Sequence, residues 1–140
     1  MPSESELAGP ESPHKGQRGF QRLLNAFFYS LSGLRLALQH ESAFRQEIAL
    51  AVVLIPLALW LPVNAVERVL LILPMLLVLV VELLNSSVEA AIDRIGLDTH
   101  RLSKRAKDLG SAAVLVSLIA LAIVWGTIAG PIVVRLLSTS

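Results

Sequence analysis

The chain has 140 residues, of which 54% are hydrophobic and only 16% are charged, and its formal net charge is +1. A soluble domain of this size would carry more charge on its surface, so the composition predicts an integral membrane protein. The near-neutral charge gives no sign of nucleic-acid binding, and the absence of cysteine excludes disulfides, a thiolate nucleophile and a cysteine-based metal site.

The N-terminal region is predicted to hold a disordered tail and then an amphipathic helix. Residues 1–18 are polar and rich in Pro, Ser, Glu and Gly, which is typical of disorder. Over about 19–39, apolar residues recur at three- and four-residue steps from Phe20 to Leu38. This pattern predicts a helix that lies in the membrane surface. An ordinary bundle helix packed on the spans would show the same pattern, so both interpretations stay open.

Three apolar segments follow, and each is a candidate membrane span. They cover about 44–61, 69–91 and 111–134, and the first is short for a hydrocarbon layer of about 30 Å. Of the twelve basic residues, four precede the first span, Arg45 lies at its start, and five lie between the second and the third. Because cytoplasmic loops are enriched in Lys and Arg, the N-terminus and the second loop are predicted to be cytoplasmic.

The end of the second span carries a stripe of polar side chains. Glu82, Asn85, Glu89 and Asp93 are spaced by three, four and four residues, which places them on one face of a helix. A carboxylate beside hydrocarbon is costly unless something compensates its charge. The stripe therefore suggests bound cations, proton transfer, or both. The plainer alternative is a salt-bridged helix end with Arg94 as the partner.

Two further charged clusters are predicted at the same membrane face. Before the first span, the segment HESAFRQE contains Glu41, Arg45 and Glu47. Between the second and third spans, residues 93–114 mix acidic and basic side chains, but the chain has no GxxxxGK[ST] phosphate loop. Lys107 and a helix start near Gly110 would be able to hold a phosphate. Alone, the basic loop is better explained as a topology signal. With the carboxylates facing it, a phosphate site is favoured, because acidic groups that hold Mg²⁺ beside basic groups are what phosphoryl transfer needs.

The segments FRQE, VELLNSSVEAAIDRIG and LSKRAKDLGSAAVL resemble the membrane-integral diacylglycerol kinases of Gram-negative bacteria. The resemblance runs from about residue 19 to 125. It implies an all-α membrane protein with one surface helix and three spans, assembled as a homotrimer with shared active sites in the bacterial inner membrane. It also implies transfer of the ATP γ-phosphate to diacylglycerol, with Mg²⁺ as the metal and diacylglycerol, ATP and membrane lipids as partners.

The resemblance also implies roles for residues of the matching motifs. Glu82 would be the general base beside the lipid hydroxyl, Asn85 would be its polar partner, and Glu41 and Glu89 would hold the metal on ATP. The other positions implied to lie near the nucleotide are Arg22, Tyr29, Asp93, Asp98, Thr99, His100, Lys107 and Asp108. The other positions implied to lie near the lipid are Arg22, Ser30, Ala43, Phe44, Arg45, Gln46, Glu47 and Ser111.

Some residues depart from the family pattern, and other functions stay open. Leu31 and Leu38 stand where the family often has tryptophan, and Lys104 stands where glycine is common, which weakens inferences about lipid fit. An undecaprenol kinase is the alternative within the family. A small proton or ion conduit fits the buried carboxylates but not the basic loop, and a structural membrane subunit explains none of the charged clusters.

Overall fold

The structure is a computed structural model that describes residues 15–95 and 100–138. Within these residues all regular structure is α-helical, in four helices: α1 (Lys15–His40), α2 (Ser42–Trp60), α3 (Ala65–Ile95) and α4 (Arg101–Ser138). The last three are long and apolar enough to cross a membrane. The all-helical fold class and the three apolar spans predicted from the sequence are therefore confirmed.

The chain divides into two compact units, of which the first ends at Leu36 and the second begins at Ala37. The first unit contains most of α1, where most of the large apolar side chains are exposed and Leu24 is half-buried. Helix α1 begins at Lys15, so residues 15–18 of the expected tail are helical, while residues 1–14 lie outside the described residues. A position of α1 in the membrane surface stays a prediction.

In the second unit, α3 packs against both α2 and α4. The buried face of α3 follows a helical period through Leu71, Met75 and Val78 and continues to Glu82. The buried face of α2 carries the small residues Ala51 and Ala58. Small side chains let the backbones of membrane helices approach closely, where van der Waals packing replaces the hydrophobic effect as the main attraction.

The connection between α2 and α3 is closed by polar contacts that the local sequence provides. The backbone N–H of Asn64 donates to Glu67 Oε2, and the N–H of Glu67 donates to Asn64 Oδ1, each at 3.0 Å. This is a reciprocal capping box, which satisfies donors at the start of α3. Arg68 Nη2 donates to the carbonyls of Leu61 and Val63 at 3.4 Å. The short connection therefore holds α2 and α3 as a hairpin.

Trp125 joins α4 to α3 near the middle of the hydrophobic core. Its ring packs against two groups of buried side chains, one around Met75 and one around Leu71. Its Nε1 donates a hydrogen bond of 3.0 Å to the carbonyl of Leu71. This hydrogen bond adds a polar contact between α3 and α4 within the hydrophobic core.

Replacing Trp125 with Phe should keep the ring contacts but remove this hydrogen bond. We expect a loss of about 0.6 kcal/mol, with an upper bound of about 1.7 kcal/mol, as for other interhelical bonds in membranes. Reversible unfolding in mixed detergent micelles would measure this change in the free energy of unfolding. Trp60→Phe is the matched control because that side chain is 76% exposed. Equal stability of the two variants would contradict a structural role for the indole N–H.

Candidate active site

The polar site is a continuation of the buried faces of α2 and α3. Glu82 is only 4% exposed and lies one turn beyond Val78, at the end of the apolar stripe of α3. Glu47 is 7% exposed and lies one turn before Ala51 on the buried face of α2. The two carboxylates interact electrostatically across the helix pair. Glu47 Oε2 is buried and makes no hydrogen bond within the described residues. An uncompensated charge is costly to bury in an apolar environment, so two buried carboxylates on facing helices make this point a candidate functional site.

Glu41 lies at the break between α1 and α2. Its backbone is extended, with φ −102° and ψ 112°, and its side chain makes no capping hydrogen bond to α2. The carboxylate is half-buried, and its charge acts on Glu82, as does the charge of Glu89. The first two charged clusters predicted from the sequence therefore meet at one site.

Arg45 lies next to this break, and its side chain bonds to the end of α1. Its Nη1 donates to the carbonyls of Leu38 and Gln39, each at 3.2 Å. Basic side chains at the end of a helix bond to its last carbonyls and favour its negative pole. Arg45 thus holds the end of α1 against the start of α2, which positions Glu41 between them.

On α3, Asn85 is bonded to one of the expected metal-binding carboxylates. Its Nδ2 donates to Glu89 Oε1 at 3.2 Å. Its Oδ1 is buried, makes no hydrogen bond within the described residues, and lies against Gly110 of α4. The hydrogen bond orients Glu89, whereas the resemblance placed Asn85 beside the expected base.

Asp93 and Lys107 connect the outer ends of α3 and α4. Lys107 Nζ donates to Asp93 Oδ1 at 2.6 Å, and both side chains are substantially exposed. An exposed ion pair contributes little to stability. The described partner of Asp93 is therefore a lysine of the following helix, not the neighbouring Arg94 that the plainer alternative invoked. The pair places one basic group beside the carboxylates.

One expectation about the basic loop is wrong. We expected a helix start near Gly110 and Ser111, but α4 begins at Arg101, so both residues lie well inside the helix. Leu102, Ala106 and Leu109 recur at helical spacing, and this pattern extends the helix back through the charged segment. A phosphate-binding helix N-terminus at Gly110 is therefore excluded.

The other expected site residues have different positions. Phe44 is 1% exposed and belongs to the core, whereas Ala43 and Gln46 are exposed near the start of α2. Asp108 and Ser111 are exposed on α4, and His100 precedes that helix, where its Nδ1 accepts a hydrogen bond of 3.2 Å from the N–H of Leu102. Two further expected residues, Asp98 and Thr99, lie outside the described residues.

Three expected residues belong to the first compact unit. Arg22 and Tyr29 are exposed on α1. Ser30 is also exposed, and its hydroxyl donates to the carbonyl of Ala26 at 2.9 Å. Their expected contacts with the nucleotide and lipid stay predictions.

Comparison with known proteins identifies the family. A family model described as prokaryotic diacylglycerol kinase matches residues 28–129. These residues include the four carboxylates described above, which are Glu41, Glu47, Glu82 and Glu89. The chain belongs to this family. Membership confirms the resemblance that the motifs around FRQE, VELLN and KDLGSAAV indicated.

Individual relatives within the family cover most of the chain. A diacylglycerol kinase of Pseudomonas aeruginosa is 54% identical over 117 residues, covering 84% of this chain and 95% of the relative. One of Escherichia coli strain K12 is 51% identical over 107 residues, covering 76% and 88%. One of Haemophilus influenzae is 50% identical over 110 residues, covering 79% and 93%. The similarity thus extends over both the spans and the site.

The close contact between Gly110 and Asn85 is a feature that the sequence did not reveal. Gly110 was expected only as part of a helix start, and the structure instead places its backbone against the Asn85 amide. A glycine within the apolar-to-basic boundary of α4 carries no signal of this contact, because its partner lies 25 residues earlier in the chain. A second glycine of the same helix, Gly126, has no such neighbour.

Proposed function

We propose that the chain is an ATP-dependent diacylglycerol kinase. It transfers the γ-phosphate of ATP to the primary hydroxyl of diacylglycerol and produces phosphatidic acid and ADP. The observation that carries the proposal is the cluster of Glu41, Glu47, Glu82 and Glu89 at one end of membrane-spanning helices, in a chain of the prokaryotic diacylglycerol kinase family. A lipid substrate requires reactive groups at the edge of the hydrocarbon layer, where the lipid headgroup lies.

In the proposed reaction Glu82 is the general base. A primary alcohol is a weak nucleophile, and a positioned base contributes about 10²–10⁴-fold to such a step. The O–H bond of the lipid breaks as its proton passes to Glu82, and the lipid oxygen forms a bond to the γ-phosphorus. The bond from that phosphorus to the bridging oxygen breaks, and ADP leaves with that oxygen. The buried position of Glu82 keeps competing water away from the same base.

The nucleotide and its metal are assigned to the more exposed half of the site. Mg²⁺ usually binds through one or two carboxylates together with substrate phosphates. Among the described residues no group of three His, Cys, Asp or Glu side chains is able to hold a metal alone. Glu41 and Glu89 fit the two-carboxylate pattern, and when bound the Mg²⁺ would neutralise charge on the phosphate oxygens. Lys107 and Asp108 are proposed to contact the nucleotide.

The separation along α3 suits these two roles. Glu89 follows Glu82 by seven residues, which is two turns or roughly 10 Å along the axis. The lipid hydroxyl is therefore assigned to the buried level of Glu82 and the metal to the outer level of Glu89. Residues 43–47 are proposed to contact the lipid, although the side chain of Phe44 supports that segment from within the core.

We further propose that the protein lies in the bacterial inner membrane with its N-terminus and the α3–α4 connection in the cytoplasm. Ten of the twelve basic residues lie on that side, which is the side where ATP is available. A homotrimer with shared sites also stays a prediction. It rests on the resemblance of the site motifs to the family, because apolar side chains exposed on a span are equally able to face lipid.

The proposed function is tested by giving the purified chain γ-labelled ATP and one lipid at a time in mixed micelles. We expect labelled phosphatidic acid with diacylglycerol and little product with undecaprenol. Preference for undecaprenol would support the alternative lipid kinase. Absence of label in both lipids, in a folded sample, would overturn the kinase proposal and leave the conduit and structural alternatives.

Glu82→Gln should lower the turnover number by about 10²–10⁴-fold because the amide is unable to accept the proton. The variant should still fold, since a neutral amide is cheaper to bury than a charge. Turnover measured at saturating ATP and lipid, with helicity from circular dichroism, would check both expectations. Glu67→Gln, at the capping box of the opposite helix end, is the matched control. Near-normal turnover of Glu82→Gln would remove it as the base.

Glu41→Gln and Glu89→Gln should each raise the Mg²⁺ and ATP concentrations needed for half-maximal activity. Each change replaces a charged oxygen ligand by a neutral amide, which Mg²⁺ binds less well. The KM for diacylglycerol should change much less. Titrations of metal, ATP and lipid would separate these effects. A variant that altered only the KM for lipid would not be a metal ligand.

A further inference from the structure

The contact between Gly110 and Asn85 is closer than any larger residue permits. A Cβ atom added at Gly110 would lie 3.2 Å from Cγ of Asn85 and would overlap its Oδ1. The glycine lies inside α4, and the described glycines all have negative φ, so its backbone conformation suits any residue. The constraint on residue 110 is therefore the lack of space for a side chain, not the backbone conformation.

The space is occupied by an amide that is fixed from two sides. Asn85 Oδ1 is buried against α4, while Nδ2 donates to Glu89 Oε1 at 3.2 Å. A methyl group at position 110 would push on the end of the Asn85 side chain, not on the backbone of α3. The amide would have to rotate or withdraw, and the hydrogen bond to Glu89 would be lost.

We infer that Gly110 is a positioning residue that orients the carboxylate of Glu89 toward the metal by keeping the amide of Asn85 in place. This inference rests on the metal-binding role proposed above for Glu89. Groups that hold a metal ligand in its orientation are worth about 10–100-fold in metal affinity or activity when removed. Gly110 would belong to this set although it touches neither metal nor substrate.

The helix itself should tolerate the change that tests the inference. Alanine has a higher helix propensity than glycine, so Gly110→Ala gains local stability while it displaces the amide. Gly126→Ala makes the same chemical change in the same helix, at a position where an added Cβ meets nothing within 4 Å. It is therefore a matched control for helix propensity and for side-chain volume.

The first measurement is metal binding without lipid. Mn²⁺ replaces Mg²⁺ as the probe, and electron paramagnetic resonance reports its binding in the presence of a nonhydrolysable ATP analogue. We expect Gly110→Ala to weaken Mn²⁺ binding by about 10–100-fold and Gly126→Ala to leave it unchanged. Asn85→Ala should give the same loss as Gly110→Ala, because it removes the same hydrogen bond. Binding equal to that of Gly126→Ala in either variant would overturn the inference.

The second measurement combines the two substitutions. Once Asn85 is alanine, an alanine at position 110 fits, since the two Cβ atoms would lie 3.8 Å apart. If Gly110 acts through Asn85, Gly110→Ala should cause no further loss in the Asn85→Ala background. Losses that add would show that Gly110 acts by another route and would overturn the inference.

Kinetics of the same variants separate this inference from the proposed function. Gly110→Ala should raise the Mg²⁺ concentration for half-maximal activity while the KM for diacylglycerol stays near that of Gly126→Ala. If the unchanged protein fails to phosphorylate diacylglycerol, the proposed function fails, but the Mn²⁺ measurements still decide the role of Gly110. If it is active and Gly110→Ala matches the control in metal dependence, only the inference fails.

Discussion

The structure depends on how two helices bury carboxylates at one end of an apolar interface. The stripe of α3 and the stripe of α2 are hydrocarbon over most of their length, and each ends in a glutamate, Glu82 or Glu47, that is almost fully covered. Charges in such surroundings are tolerated where they serve binding or catalysis and where protein shields them from lipid. The packing of the apolar part holds the two helices together. This packing also fixes the positions of the glutamates at the polar end, which are the proposed reactive groups.

Helix α4 completes this arrangement from the third side. Near the middle of the core it is joined to α3 by the Trp125 indole, and at the polar end it approaches α3 closely at Gly110. Farther out the same pair of helices is linked by Lys107 and Asp93. The three contacts differ in chemistry and follow the change along α3 from hydrocarbon to water. The polar side chains of α3 are thereby held in a gradient of exposure, with the proposed base deepest and the charged pair outermost.

Most of the fold and the common helix face of the polar residues on α3 could be predicted from the sequence. The spacing of Glu82, Asn85 and Glu89 places them on one helix face wherever the helix lies, so periodicity alone was sufficient. The start of α4 was misplaced because basic residues resemble a loop when only hydropathy is considered, although Arg101 to Gly110 also suits a helix. The Asn85–Gly110 contact depends on how closely two helices approach, and no local pattern encodes that distance.

The hairpin connection at the opposite end has a consequence for how the protein enters the membrane. Under the proposed topology, the turn between α2 and α3 is the part that must cross the bilayer during insertion. Several of its polar groups are bonded locally, Asn64 Oδ1 to the N–H of Glu67 and Arg68 Nη2 to the carbonyls that precede it, although Arg68 Nε is buried without a partner among the described residues. Polar groups satisfied within one short segment cost less to carry through hydrocarbon than groups that await distant partners. The two helices are thus suited to insert together as one unit.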